Sequence, residues 1–302
     1  MEWRDEGALL SVRPHGESAA IIEVLTAAHG RHLGVVRGGG SRRMAGVLQP
    51  GAQLAVQWRA RLDDQLGSFR AEPLHARAAL MGDRGALSAL NAICALLHLA
   101  LPERDPHPAL YAQTVALLDL LEAGGSWPVP YLLFELRLLD EMGYGLDLTS
   151  CALSGVTQDL AYISPRTGRA VARAAAGDWA PRLLPLPRVL SLHDGTPAEV
   201  AQGLSITGHF LSRALTRPNT AAPLPEARGR LLDHLSQTKI VADSLLRSHQ
   251  GQTQALRHAK QAYADRPHPP AAHPCPVAFR RPNRARSLRA WVADFCDATC
   301  GA

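Results

Sequence analysis

The chain has 302 residues, enough for two domains of roughly 100–200 residues each, and 46% of them are hydrophobic against 20% charged. That balance excludes a chain disordered throughout, and no apolar run reaches the roughly 18–20 residues of a membrane span. The formal charge of +5 points to an anionic partner, but its placement is uneven. In residues 1–72 nine arginines face eight acids, whereas residues 239–302 hold ten Lys/Arg against four Asp, a net of +6. Nucleic-acid binding by the first 72 residues must therefore come from local clustering. The opening MEWRDEGALL places acids where a signal peptide carries Lys or Arg, so a cytoplasmic chain is expected. The cysteines (Cys94, Cys151, Cys275, Cys296 and Cys300) are odd in number and scattered, unlike a secreted disulfide framework.

Residues 1–72 read as short strands separated by turns. Ala8–Arg13 is an apolar run halted at Pro14-His15-Gly16-Glu17. Ser18–Leu25 is rich in aliphatic and β-branched residues, and Leu33–Val36 is a third strand, stopped by Arg37-Gly38-Gly39-Gly40-Ser41-Arg42-Arg43. Gln53–Arg61 alternates with a period near two, the mark of a half-buried strand, and Gly67–Glu72 supplies a fifth. Five short strands predict an all-β barrel of the OB type, with an SH3-like barrel equally allowed by periodicity.

Pro73 opens a helical regime, predicted over residues 73–248. Ala86–Leu101 reads as a buried helix. Ala109–Glu122 places Leu110, Thr114, Leu117, Leu118 and Leu121 on one stripe, and Val129–Met142 is a third, strongly apolar helix. Another begins at Pro197 with Thr196 as its N-cap and runs toward Arg213. A last one covers Ala227 to about Leu235, with room to continue to Arg247. Residues 146–195 read as an irregular insert rich in Pro, Gly and Arg. Residues 249–302 read as a flexible, basic, Pro-rich tail, because prolines at 267, 269, 270, 274, 276 and 282 forbid helix or central strand. Ser287–Asp297 is the one stretch there with the pattern of a short helix.

Catalytic signatures are missing: there is no GxxxxGK[ST] loop, no GxGxxG between strand and helix, no HExxH and no GxSxG. No enzymatic activity and no cofactor are expected. The most informative segment is the loop of Arg37, Gly38, Gly39, Gly40, Ser41, Arg42 and Arg43. Glycines let a backbone approach a phosphate closely, and each guanidinium grips a phosphate oxygen pair. Arg59 and Arg61, two apart, share one face of the strand taken to neighbour this hairpin. On the residues alone the segment reads equally as a DNA contact or as a soluble surface hairpin. The barrel carries few aromatics (Trp3, Trp58, Phe69), which favours backbone-dominated binding over base readout. Cys151-Ala-Leu-Ser-Gly155 has the register of half a zinc knuckle, but Ser154, Ser164, Gly168 and Arg169 stand where partners are needed, so no metal is expected there. Cys296 and Cys300, with Cys275, His268 and His273 upstream, leave a Cys/His set open in the tail. The helix around Tyr131, Phe134 and Arg137 is more apolar than one face needs; core packing explains most of this, and an exposed groove for a partner's apolar peptide is the sharper alternative.

Taken together, these residues resemble a known family. Val12-Arg13-Pro14-His15-Gly16-Glu17-Ser18, Thr26–Gly30, the Arg37-Gly38-Gly39-Gly40 segment and Leu48-Gln49-Pro50-Gly51 are similar to the N-terminal OB domain of bacterial RecO. Phe134–Leu139, Gly143–Leu148, Cys151–Gly155 and Tyr162–Arg169 are similar to its helical half, in order and spacing, through about residue 238. The resemblance implies a non-enzymatic DNA repair and recombination mediator of the RecF pathway, associated with the nucleoid. It implies binding of single- and double-stranded DNA, strand annealing and, with RecR, loading of RecA onto DNA coated by single-strand-binding protein. The acidic, apolar C-terminal tail of that protein would dock on the helical domain, at Tyr131, Phe134 and Arg137. No nucleotide is required. The zinc cysteines of many relatives are reduced here to Cys151, and residues 249–302 have no familiar counterpart. The rival reading is a protein–protein adaptor, with an SH3-like barrel as peptide reader and the helical half as scaffold.

Overall fold

The computed structural model describes residues 1–62, 65–216 and 223–237. The Pro-rich tail, the Ser287–Asp297 stretch, the cysteines at 275, 296 and 300, and the continuation of the last helix toward Arg247 lie outside the described residues.

Five strands close into a barrel: β1 (Glu2–His15), β2 (Ala19–Thr26), β3 (Gly30–Val36), β4 (Gln53–Arg59) and β5 (Ser68–His75), in the order β1-β2-β3-β5-β4 with β4 returning to β1. All pairs are antiparallel except β3 with β5, joined through Val35↔Ser68 and Val36↔Phe69. This is the Greek-key closure of an OB-fold rather than a meander. The interior holds Leu9, Ile22, Val24, Leu54, Trp58 and Phe69.

Two strands are longer than their apolar content predicts. β1 begins at Glu2, not Ala8, because Glu2–Ala8 alternates faces while pairing residue by residue with Arg59–Gln53 of β4. Trp3 and Asp5 turn inward, while Glu2, Arg4 and Glu6 stay exposed. β5 runs through Pro73 to His75. Its pairing with β3 ends at Phe69, so Pro73 sits where only one edge of β5 is used, and the register slips beside it.

The helical half contains α2 (Arg84–Ala100), α3 (Pro108–Glu122), α4 (Pro128–Glu141) and α7 (Pro197–Leu215), with a further helix, α8, over 226–237. Three further helices, α1 (Arg42–Ala45), α5 (Arg173–Ala176) and α6 (Val189–Leu192), are single turns. Asp83 caps α2 by accepting from the Ala86 N–H at 2.9 Å. Thr196 and Glu199 form a reciprocal capping box on α7 with Pro197 in its first turn. The buried residues of α3 are Leu110, Thr114, Leu117, Leu118 and Leu121, the predicted stripe.

The insert is not irregular throughout. It folds as a three-stranded sheet in the order β7-β6-β8, from β6 (Leu160–Ile163), β7 (Ala170–Ala172) and β8 (Leu184–Pro185). Cys151, Val171, Ala172 and Ala176 form its small core. Short strands between prolines and glycines left no periodic signal to read.

Barrel and helices share one core. Ala8, Leu10 and Leu25 belong to the same apolar cluster as α2, α3 and α4. Glu23 on β2 is completely buried at this junction, ion-paired with Arg31 on β3 and 2.8 Å from His98 Nδ1 on α2, with the Ser11 hydroxyl donating at 2.9 Å. Arg31 also donates to the Leu101 carbonyl at 3.0 Å, and the Arg104 N–H donates back to Arg31 O at 2.8 Å. On the other side Arg77 reaches the Gly51 carbonyl at 2.6 Å and Asp119 at 2.6 Å.

Candidate nucleic-acid interface and peptide groove

The Arg37–Arg43 segment is a crossover loop, not a hairpin. β3 and β4 are not partners, because β5 lies between them, and the chain returns from β3 to β4 through α1. The loop is pinned by its own amides. The Gly39 N–H donates to Val36 O at 3.1 Å, the Gly40 N–H to Ser18 O at 3.0 Å, and the Ser41 N–H to Gly38 O at 3.1 Å. Gly38 has φ of +71° with open space around it. Gly39 is buried, and a Cβ there would lie 2.8 Å from Ala20 Cβ. Its small size therefore serves packing inside the barrel. What the loop presents outward is charge: Arg37, Arg42 and Arg43 are exposed and make no ion pair among the described residues.

Arg59 ends β4, with β5 separating it from β3. Its Nε lies 2.8 Å and its Nη2 2.9 Å from the Glu2 carboxylate, and this pair holds Glu2 below the usual carboxylate range. Both partners are well exposed, so the pair contributes little to stability. Arg61 lies beyond the strand, exposed and without an ion pair among the described residues. Two arginines absent from the sequence-based set stand among these. Arg70 on β5 and Arg4 on β1 are exposed, and both pair across β4 with Gln57. Only strand order and register bring them together, so no short motif could have revealed them. Of the barrel aromatics, Trp58 and Phe69 are buried, and Trp3 is stacked between His29 (4.0 Å) and Trp58 (5.8 Å). None of these three rings offers a free platform for a base.

The residues expected to form a peptide site do not line an exposed groove together. Tyr131 and Phe134 are fully buried in the helical core, because α4 packs against both α3 and α7. Arg137 remains accessible but is paired with Glu141 at 3.0 Å, one turn away. An open groove of about 1250 Å³ lies instead between the start of α4, α7 and α8. Val129, Val200, Leu204, Leu232 and Leu235 give it apolar walls, and His209, Arg213 and Arg228 supply its ionisable groups. No Asp or Glu lines it among the described residues. Arg228 is almost wholly buried, its Nε and Nη2 bonded to Glu135 at 2.7 and 2.9 Å. Arg213 is steadied by the insert through the Pro165 and Arg166 carbonyls.

Cys151 is buried, and its sulfur accepts from the Ala172 N–H at 3.3 Å and the Ser154 N–H at 3.5 Å. Those donors, Ala172 first, lower the thiol pKa to about 6. The turn of residues 151–155 is tied to β7 by the Ala152 N–H, which donates to Ala170 O at 2.8 Å. Hydrogen bonds and the small apolar core hold this turn against β7. No group of three or more potential metal ligands occurs among the described residues.

Comparison with known proteins agrees with this geometry. The family described as Recombination protein O N terminal matches residues 1–77, and Recombination protein O C terminal matches residues 81–223. A protein of Cereibacter sphaeroides named DNA repair protein RecO is 65% identical over 240 residues, spanning 78% of this chain and 99% of that protein. Proteins of the same name from Ruegeria sp. and Dinoroseobacter shibae are each 56% identical, covering 78% and 79% of this chain and 99% and 100% of theirs. With an OB barrel fused to helices, and both halves matched in order, the chain belongs to the RecO family.

Proposed function

We propose that this chain acts in DNA repair and recombination by binding DNA on its barrel, without catalysing a reaction. The observation that carries the reading is the set of exposed, unpaired guanidiniums at Arg37, Arg42 and Arg43 on a loop fixed by its own hydrogen bonds. A rigid cationic loop meets a phosphate backbone without ordering itself first. With no free stacking ring among the barrel aromatics, binding is governed by phosphates and tolerates any sequence. Holding two strands on one cationic surface offsets their repulsion, which favours annealing. Loading of RecA with RecR is the family role this binding would serve, on DNA in the cytoplasm at the nucleoid. No helix among the described residues is long and apolar enough to cross a membrane.

The partner tail is assigned to the α4/α7/α8 groove. An acidic, apolar C-terminal tail of single-strand-binding protein suits its apolar walls, its Arg213 guanidinium and the lack of carboxylates among its described lining residues. The adaptor reading loses its premise, since the barrel closes as an OB-fold and not as an SH3-like barrel. The test of the central reading is DNA binding by the full chain carrying Arg37→Ala, Arg42→Ala and Arg43→Ala. Affinity should fall for all sequences alike, and the slope of log K against log salt should shrink by about two units, at roughly 0.7 per phosphate.

A further inference from the structure

The outer face of β2 and β3 is where an OB-fold usually receives an oligonucleotide. Here that face is occupied over much of its length. Leu25 packs into the helical core, Glu23 is locked to His98 of α2, and Arg31 is bonded to the Leu101 carbonyl and bridged to Glu103. Gly30 is pressed so closely on the same segment that a Cβ would lie 2.0 Å from Asp105 O. A strand of DNA cannot lie along β2 and the start of β3 without displacing α2 and residues 101–105.

The opposite wall is open. Arg70 on β5 is level with Gln57 on β4, and Gln57 is level with Arg4 on β1. The last paired residues of β3 and β5 are Val36 and Phe69, so Arg37 and Arg70 are the next residue on each strand path. At about 4.8 Å per strand, this row carries cations across some 14 Å of surface. Three acids flank it: Glu2, paired with Arg59 at 2.8 Å, Glu72, paired with Arg70 at 3.1 Å, and Glu6, exposed beside Arg4 and level through Ala55 with Glu72. The two ion pairs are solvent-exposed, and a phosphate can take over their guanidiniums.

We infer that single-stranded DNA crosses the barrel on its β5-β4-β1 wall, running from Arg37 over Arg70 to Arg4, and not along β2-β3. This rests on the DNA-binding reading above and gives it a path. Along that row phosphates meet Arg37, Arg70 and Arg4 in turn, with Gln57 between the last two as a neutral hydrogen-bonding group.

The test uses the full chain and a fluorescent oligothymidylate of about thirty nucleotides, with anisotropy titrations at several salt concentrations. The Arg4→Ala, Arg70→Ala variant should bind more weakly, with a salt slope smaller by about 1.4. The Arg4→Lys, Arg70→Lys variant, which restores charge on the same folded wall, should recover most of that slope. If the alanine pair binds as the parent does while the triple alanine variant at 37, 42 and 43 is weakened, the path is wrong and the DNA-binding reading stands. Parental binding by both would overturn the path and the barrel reading together.

Discussion

Glu23 is a carboxylate without solvent exposure, held between two halves of the molecule. Burial alone would push its carboxyl upward. Hydrogen bonds from His98, Arg31 and Ser11 outweigh that and hold it below the usual carboxylate range. Cys94, buried nearby, is pushed the other way, up to about 12, by burial and by the Glu23 charge. Because the folded-state value of Glu23 is depressed, its stabilisation is complete above the ordinary carboxylate range and is lost as pH falls through the lower value. Glu23→Gln leaves Arg31 without its buried counter-charge and should cost about 3–5 kcal/mol at pH 7. Urea unfolding of both proteins should show the gap narrowing on acidification; a gap constant with pH would refute the assignment. Gly39 gives a second residue-level prediction. A valine there must displace Ala20 or the Val36 carbonyl, so Gly39→Val should lose about 1–3 kcal/mol in thermal unfolding. An unchanged midpoint would mean that the loop is not packed on β2.

At the scale of elements, what the sequence revealed depended on how local the deciding interactions were. The stripe on α3 and the capped start of α7 follow from spacing and short-range hydrogen bonds, and both could be read directly. The start of β1 could not, because Glu2–Glu6 is held by pairing with a strand about fifty residues away. The loop at Arg37 resembles a hairpin locally, and only the insertion of β5 beside β3 shows otherwise. Tyr131 and Phe134 stood out for their apolar bulk, yet that bulk is spent inside the core because α4 has neighbours on two sides. The groove itself joins the start of α4 to the much later α7 and α8, so no single segment announces it. Its test is direct: Ala201→Glu with Ser205→Glu adds acids at two exposed lining positions. That variant should lose tenfold or more in affinity for the acidic tail peptide, about 1.4 kcal/mol. Tyr131→Phe should bind the peptide as the parent does. The reverse pattern would return the site to α4.

For the molecule as a whole, the proposed binding surface does not follow the charge total. The excess of +6 in residues 239–302 competes as an anchor with a barrel that is nearly neutral. On the proposed reading the barrel acts through position, by setting Arg37, Arg42 and Arg43, without ion pairs among the described residues, on a pinned loop and further exposed arginines on an open wall, while the helical half covers the opposite face. The most direct test compares single-stranded DNA binding of the full chain, of the chain ended after Ser248, and of the chain with Arg37, Arg42 and Arg43 all changed to alanine. The account predicts that the shortened chain keeps most of its affinity at moderate salt, while the triple variant loses affinity and about two units of salt slope. Loss of binding on truncation, with the triple variant unaffected, would contradict it and move the site to the tail.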